Sequence, residues 1–134
     1  MRRMILFLLP LAVWSVGALP AQASTTAVDF SVDLAGAAPI ADCTVTVSTG
    51  ANGLAVLDAA VADGCIDSYD TATFPGFGEY VTCINDICEA VVTFWALYVD
   101  DEFATKGVSS LSFPSDGSAM GLSYEQWVVP VPAV

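Results

Sequence analysis

Residues 43–65, CTVTVSTGANGLAVLDAAVADGC, decide the fold. Cys43, Val45 and Val47 alternate with Thr44, Thr46 and Ser48, the period-two pattern of a half-buried strand. Thr49 to Gly53 breaks that pattern. From Leu54 to Asp63 the period changes: Leu54, Leu57 and Val61 recur at helical spacing, and Ala55, Ala59, Ala60 and Ala62 favour helix. Gly64 is placed to stop it. About ten helical residues span roughly 15 Å, and the preceding strand spans roughly 17–20 Å. A helix that folds back across its own strand therefore ends near the start of that strand, which sets Cys65 beside Cys43. Cys43 also shares the face of Val45 and Val47 that a helix would cover. A Cys43–Cys65 disulfide is predicted, and closing a loop of this size is worth about 3 kcal/mol in the chain-entropy account.

Upstream, Val28, Phe30, Val32 and Leu34 alternate with Asp29, Ser31 and Asp33, a second strand over Ala27–Leu34. The Gly- and Pro-containing stretch 35–42 reads as the long connection of a hairpin. Downstream, Ile66–Gly78 reads as irregular. Glu79–Ile84 reads as a strand, Asn85-Asp86 as a turn and Ala90–Val99 as the returning strand. Cys83 and Cys88 flank that turn, so a bridge across the hairpin neck is the natural second disulfide. Val91–Val99 is apolar on both faces, which predicts a central strand. Val108–Phe113 and Gly121–Val129 complete the set of expected strands, with Pro114-Ser115-Asp116-Gly117-Ser118 between them. The order predicts an α+β, β-grasp-like fold: one helix packed on a mixed, mostly antiparallel sheet, with two disulfides.

The N-terminus reads as an address. Arg2 and Arg3 precede an apolar run from Ile5 to Leu19, and Ala21-Gln22-Ala23 offers small residues for cleavage, so 1–23 is expected to be a secretory signal. The run is short for a membrane span and contains Pro10. The domain is expected over 24–129 and a loose tail over 130–134. Removing the signal leaves 111 of the 134 residues and shifts the formal charge from −12 to −14, with Lys106 the sole remaining base. Such a chain lacks the cations that nucleic acid or an anionic membrane requires. The absence of histidine removes histidine-dependent triads and histidine metal sites. Four cysteines in a short exported chain point to two disulfides in an oxidising, secreted or periplasmic location. A four-thiolate metal site is the alternative, and the spacings lack the short CxxC form of zinc ribbons.

Several pieces together resemble the C-terminal domain of the transcobalamin and intrinsic-factor family, which also occurs as small domains in exported bacterial proteins. They are Gly53–Ala60, Tyr80–Ile87, and above all Phe94-Trp95-Ala96-Leu97-Tyr98-Val99-Asp100-Asp101 followed by Gly107-Val108-Ser109. Asp116-Gly117 and Tyr124 stand where the family places a late turn and a final aromatic strand. The match covers about residues 27–127. Asp100-Asp101 replaces the family's Asn-Gly, and Asp86 replaces its turn glycine. The resemblance implies a β-grasp-like domain that in the vitamin carriers covers one side of cobalamin, a separate helical barrel covering the other. Cobalamin, another corrinoid or another flat small molecule is therefore the implied ligand, in a non-enzymatic binding domain.

Trp95 and Tyr98 stand in the resembling motif, and Phe77 and Tyr80, with Phe74, flank a glycine-containing loop. These are the candidate ligand-binding residues, since aromatic faces stack on flat ligands or sugars. Packing in the core is the competing role for Trp95 and Tyr98. The acidic groups Asp67-x-x-Asp70 and Asp100-Asp101-Glu102 match no calcium loop and read as solvated turns. No catalytic set is apparent. The alternative reading is an extracellular structural or adhesive module that binds a protein or a cell-surface glycan, with a secreted hydrolase third.

Overall fold

The computed structural model describes residues 24–35 and 37–127. The expected signal segment 1–23 and tail 130–134 lie outside the described residues. The strands are β1 (Thr25–Asp33), β2 (Ala41–Ser48), β3 (Tyr69–Phe74), β4 (Gly78–Ile84), β5 (Ile87–Cys88), β6 (Thr93–Val99), β7 (Glu102–Phe103) and β8 (Ser118–Gln126). Helix α1 covers Gly53–Ala62, and a single 3-10 turn covers Val108–Ser110.

Five strands form one sheet in the order β2-β1-β8-β6-β7, and β3-β4-β5 form a second, smaller sheet. β1 and β2 are the expected hairpin, antiparallel with Phe30 opposite Cys43. β1 runs parallel to β8, which makes the larger sheet mixed. Val28, Phe30 and Val32 of β1, Val45 and Val47 of β2, and Met120 and Leu122 of β8 are buried on one face. Helix α1 covers that face with Val56, Leu57 and Ala60. Its ends follow local chemistry. The Asn52 side chain accepts the Ala55 N–H at 3.1 Å, an N-cap. At the other end Cys65 N–H donates to Ala60 and Gly64 N–H to Val61, a Schellman closure with Gly64 at φ +74°.

Both disulfides pair as expected. Cys43–Cys65 joins β2 to the residue just past α1, with Cα atoms 6.4 Å apart, and Cys83–Cys88 crosses the β4–β5 neck. The two hairpin turns keep a left-handed backbone although aspartate replaces glycine: φ is +49° and +64° at Asn85 and Asp86, and +50° and +66° at Asp100 and Asp101. Asn and Asp tolerate this conformation better than other side chains, and the shape matches the twist of a two-residue hairpin. Asp100 also accepts the Ala119 N–H at 2.8 Å, which fixes the turn against β8.

Four expectations about elements are corrected. The strand that returns against β4 from the Asn85-Asp86 turn is β5, and Ala90–Val99 instead supplies β6 of the larger sheet. The stretch Ile66–Gly78 contains β3, which Thr71 and Thr73 favour through β-branching and which pairs with β4 across a bulge at Asp70/Thr71. Val108–Phe113 is not a strand. Gly107 approaches β4 so closely that a Cβ there would collide with the Glu79 carbonyl, and Ser109 Oγ accepts the Glu79 N–H at 2.9 Å. The chain then turns, burying Val108 beneath α1, before Phe113 bridges to Ala51. β6 is not the central strand. β8 lies at the middle of the sheet, and β6 is second from its edge.

Candidate functional site

Between β6 of the large sheet and β4 of the small one lies a cleft of about 530 Å³. Trp95, Ala96 and Leu97 form one wall, and Phe77, Tyr80 and Val81 the other. Phe103, Ala104 and Val108 close one end, while Phe94, Trp127 and Glu89 frame the opposite end. Glu89 is the one ionisable carboxylate among these residues. The volume falls within the ordinary range for small-molecule sites, and apolar walls with few polar groups are their common composition.

The cleft wall is held by hydrogen bonds from aromatic groups. Trp95 is 5% exposed, and its Nε1–H donates to the Ile87 carbonyl at 2.8 Å. Tyr124 packs beside it with ring centroids 5.0 Å apart, and its hydroxyl donates to the Cys88 carbonyl at 2.7 Å. Two aromatic residues of the large sheet thus grip β5, whose position the Cys83–Cys88 bridge fixes. At the rim, Phe94 and Trp127 stack with centroids 4.0 Å apart and planes 18° from parallel. Phe74, Phe103 and Trp127 are 61%, 59% and 56% exposed, an unusual apolar display for a chain this acidic.

Phe77, Tyr80 and Trp95 meet in this cleft. Tyr98 does not join them. Side chains alternate along β6, so Tyr98 points to the opposite face. There it lines a second, polar hollow of about 280 Å³ with Ser31, Asp33, Asp101 and Ser123. Its hydroxyl donates to Glu125 at 2.8 Å, and this bond, with burial, raises the phenol above its ordinary pKa. Asp33 in the same hollow accepts from Ser123 Oγ at 2.5 Å. Sequence reasoning missed Phe94, Phe103 and Trp127 as cleft residues. Their apolar character at turn and strand ends was the available signal, but the pairing that gathers them is long-range. Among the described residues, no three His, Cys, Asp or Glu side chains stand close enough to hold a metal ion. No helix among them is long and apolar enough to cross a membrane.

No protein-family model and no curated protein matches the chain. Among solved structures the chain is similar to haptocorrin in complex with Cbi, with a TM-score of 0.68 and 23% identity over 79% of this chain. It spans 26% of the length of that haptocorrin chain. It is also similar to a protein from Ruminococcus gnavus ATCC 29149 to which a metal-binding role is ascribed, with a TM-score of 0.52 and 13% identity. That match covers 75% of this chain and 97% of the other. At these identities the likeness is one of fold.

Proposed function

We propose that the chain is a secreted, non-enzymatic binding domain whose β4–β6 cleft takes a flat small molecule or the flat face of a larger one, with corrinoids such as cobalamin the first class to test. The observation that carries this reading is the cleft itself. Phe77, Tyr80 and Trp95 line about 530 Å³ of apolar space, and the stacked Phe94–Trp127 pair stands at its mouth. Aromatic faces bury large areas at low conformational cost and suit planar ligands. The fold shared with haptocorrin, the protein seen with Cbi, supports the corrinoid choice. The two disulfides support an oxidising, extracytoplasmic setting. The nearly cation-free surface argues against a nucleic-acid partner.

The test is titration of cobalamin into the processed protein, following the corrinoid absorbance and tryptophan fluorescence. A saturable spectral change is expected, and Phe77→Ala and Trp127→Ala should each weaken it about tenfold. A spectrum equal to the sum of the components at about millimolar protein removes the corrinoid assignment. A panel of planar heterocycles then tests the broader class.

A further inference from the structure

β6 pairs with β8 along its whole length, but on its other side only Tyr98 and Val99 pair with β7. One further bond, from Ala104 N–H to the Leu97 carbonyl at 2.8 Å, ends that ladder. Among the described residues no strand lies opposite Phe94, Trp95 and Ala96 on this side. Backbone groups alternate in direction along an antiparallel strand. Phe94 and Ala96 turn theirs to β8, so Trp95 turns its N–H and C=O, and Leu97 its N–H, toward the cleft. The facing edge is interrupted in the same way. β5 pairs with β4 only at Cys83 and Ile84, and Glu89 N–H extends the contact to the Thr82 carbonyl at 2.8 Å. Below the β4 bulge the alternation shifts: Glu79 turns its N–H to Ser109 Oγ, so Tyr80 turns its backbone groups to β3 and Val81 turns its own toward the cleft. Two unfinished sheet edges therefore border one apolar trough.

Nothing in the sequence blunts this edge. Residues 90–97, AVVTFWAL, hold no Pro, Lys or Arg, the usual guards of exposed strands. The surroundings are acidic: Glu89 lines the trough, and Glu102 stands opposite Val99 at the β7 end of the β6 edge. Lys106 is the only base beyond Arg3.

We propose that this edge accepts an extended segment of a partner protein as an added strand between β6 and β4. The segment alternates aliphatic and polar side chains and carries basic residues at its ends. Thr93 closes back on Ala90, so Phe94 to Leu97 offers roughly 13 Å of edge, enough for about four residues. The aliphatic side chains fill the trough, the main chain pairs with Trp95 and Leu97, and the basic ends meet the acidic rim. This inference does not rest on the small-molecule reading: a flat ligand needs the ring faces and none of these backbone groups, so either can fail while the other stands.

The probe is the capped peptide Arg-Val-Thr-Val-Thr-Val-Arg, added at about millimolar concentration to nitrogen-15-labelled processed protein, with amide hydrogen exchange read by NMR. The Trp95 and Leu97 amides should exchange at least about tenfold more slowly, while those of Phe94 and Ala96 stay as they were. N-methylation of the central valine, or Glu in place of both Arg residues, should weaken binding about tenfold or more. Absence of binding, or equal binding by the N-methylated peptide, overturns the proposal. Protection of Trp95 without peptide also overturns it: a dependence on protein concentration assigns the edge to a second copy, and loss of protection on removing residues 128–134 assigns it to the chain's own tail.

Discussion

The indole Nε1–H of Trp95 donates to the main-chain carbonyl of Ile87 at 2.8 Å, and this bond ties the five-stranded sheet to the three-stranded one. Trp95 lies on β6 and Ile87 on β5, so the residue that forms one wall of the cleft also holds the hairpin carrying the other. Trp95 is therefore a core residue that also lines the cleft.

Trp95→Phe keeps a ring in place but leaves the Ile87 carbonyl without its donor. It should lower the unfolding free energy by about 2 kcal/mol, measured by urea denaturation. A change within experimental error would show that the indole bond does not hold the sheets together.

The two disulfides should divide stability and site integrity between them. The Cys43–Cys65 bridge closes a separation of 22 residues and joins α1 to β2, away from the cleft. Replacing both cysteines with alanine should cost about 3 kcal/mol and leave ligand affinity nearly unchanged under folded conditions. The Cys83–Cys88 bridge closes a separation of only 5 residues. Its removal should cost less, about 2 kcal/mol, but should loosen β5 and weaken binding in the cleft. Denaturation and ligand titration on the two double variants give the comparison, and equal effects on affinity would count against it.

Tyr69 gives a pH signature. Its hydroxyl donates to Asp58 of α1 at 2.5 Å; partial burial first, and then that hydrogen bond, push its pKa from 10.0 to about 12. The folded state thus favours the neutral phenol. The associated stability is fully present below pH 10 and is lost as the pH rises from there through about 12. Alkaline titration by tyrosinate absorbance should show one phenol ionising near pH 12, absent in Tyr69→Phe. The same variant should show a flatter decline of stability across that window. Ionisation of every tyrosine near its ordinary value would refute the helix-to-sheet contact.

Much of this arrangement is legible in local pattern. The alternation in residues 43–48 and the switch to helical spacing after Leu54 place β2 and α1, and their similar lengths bring Cys43 to Cys65. What escaped the sequence is long-range. The parallel pairing of β1 with β8 links segments about ninety residues apart and leaves no periodic trace. It is this pairing that puts β8 at the centre and displaces β6 toward the edge, where its two-sided apolarity serves a cleft. β3 was hidden because Thr71 and Thr73 are β-formers without an apolar alternation. Tyr98 misled by sequence proximity: three residues along a strand from Trp95, it faces the opposite side.

The central claim, that the aromatic cleft between β4 and β6 is the binding site, is tested most directly by the two indole N–H resonances of the processed protein, from Trp95 and Trp127. On titration with cobalamin, or with whichever planar ligand binds, both indole signals should shift together and saturate at one affinity, while the amides of Gly121 and Ser123 beside Tyr98 hold still. Shifts confined to Gly121, Ser123 and Tyr98, with both indoles unmoved, would place binding on the other face of the sheet and contradict the account.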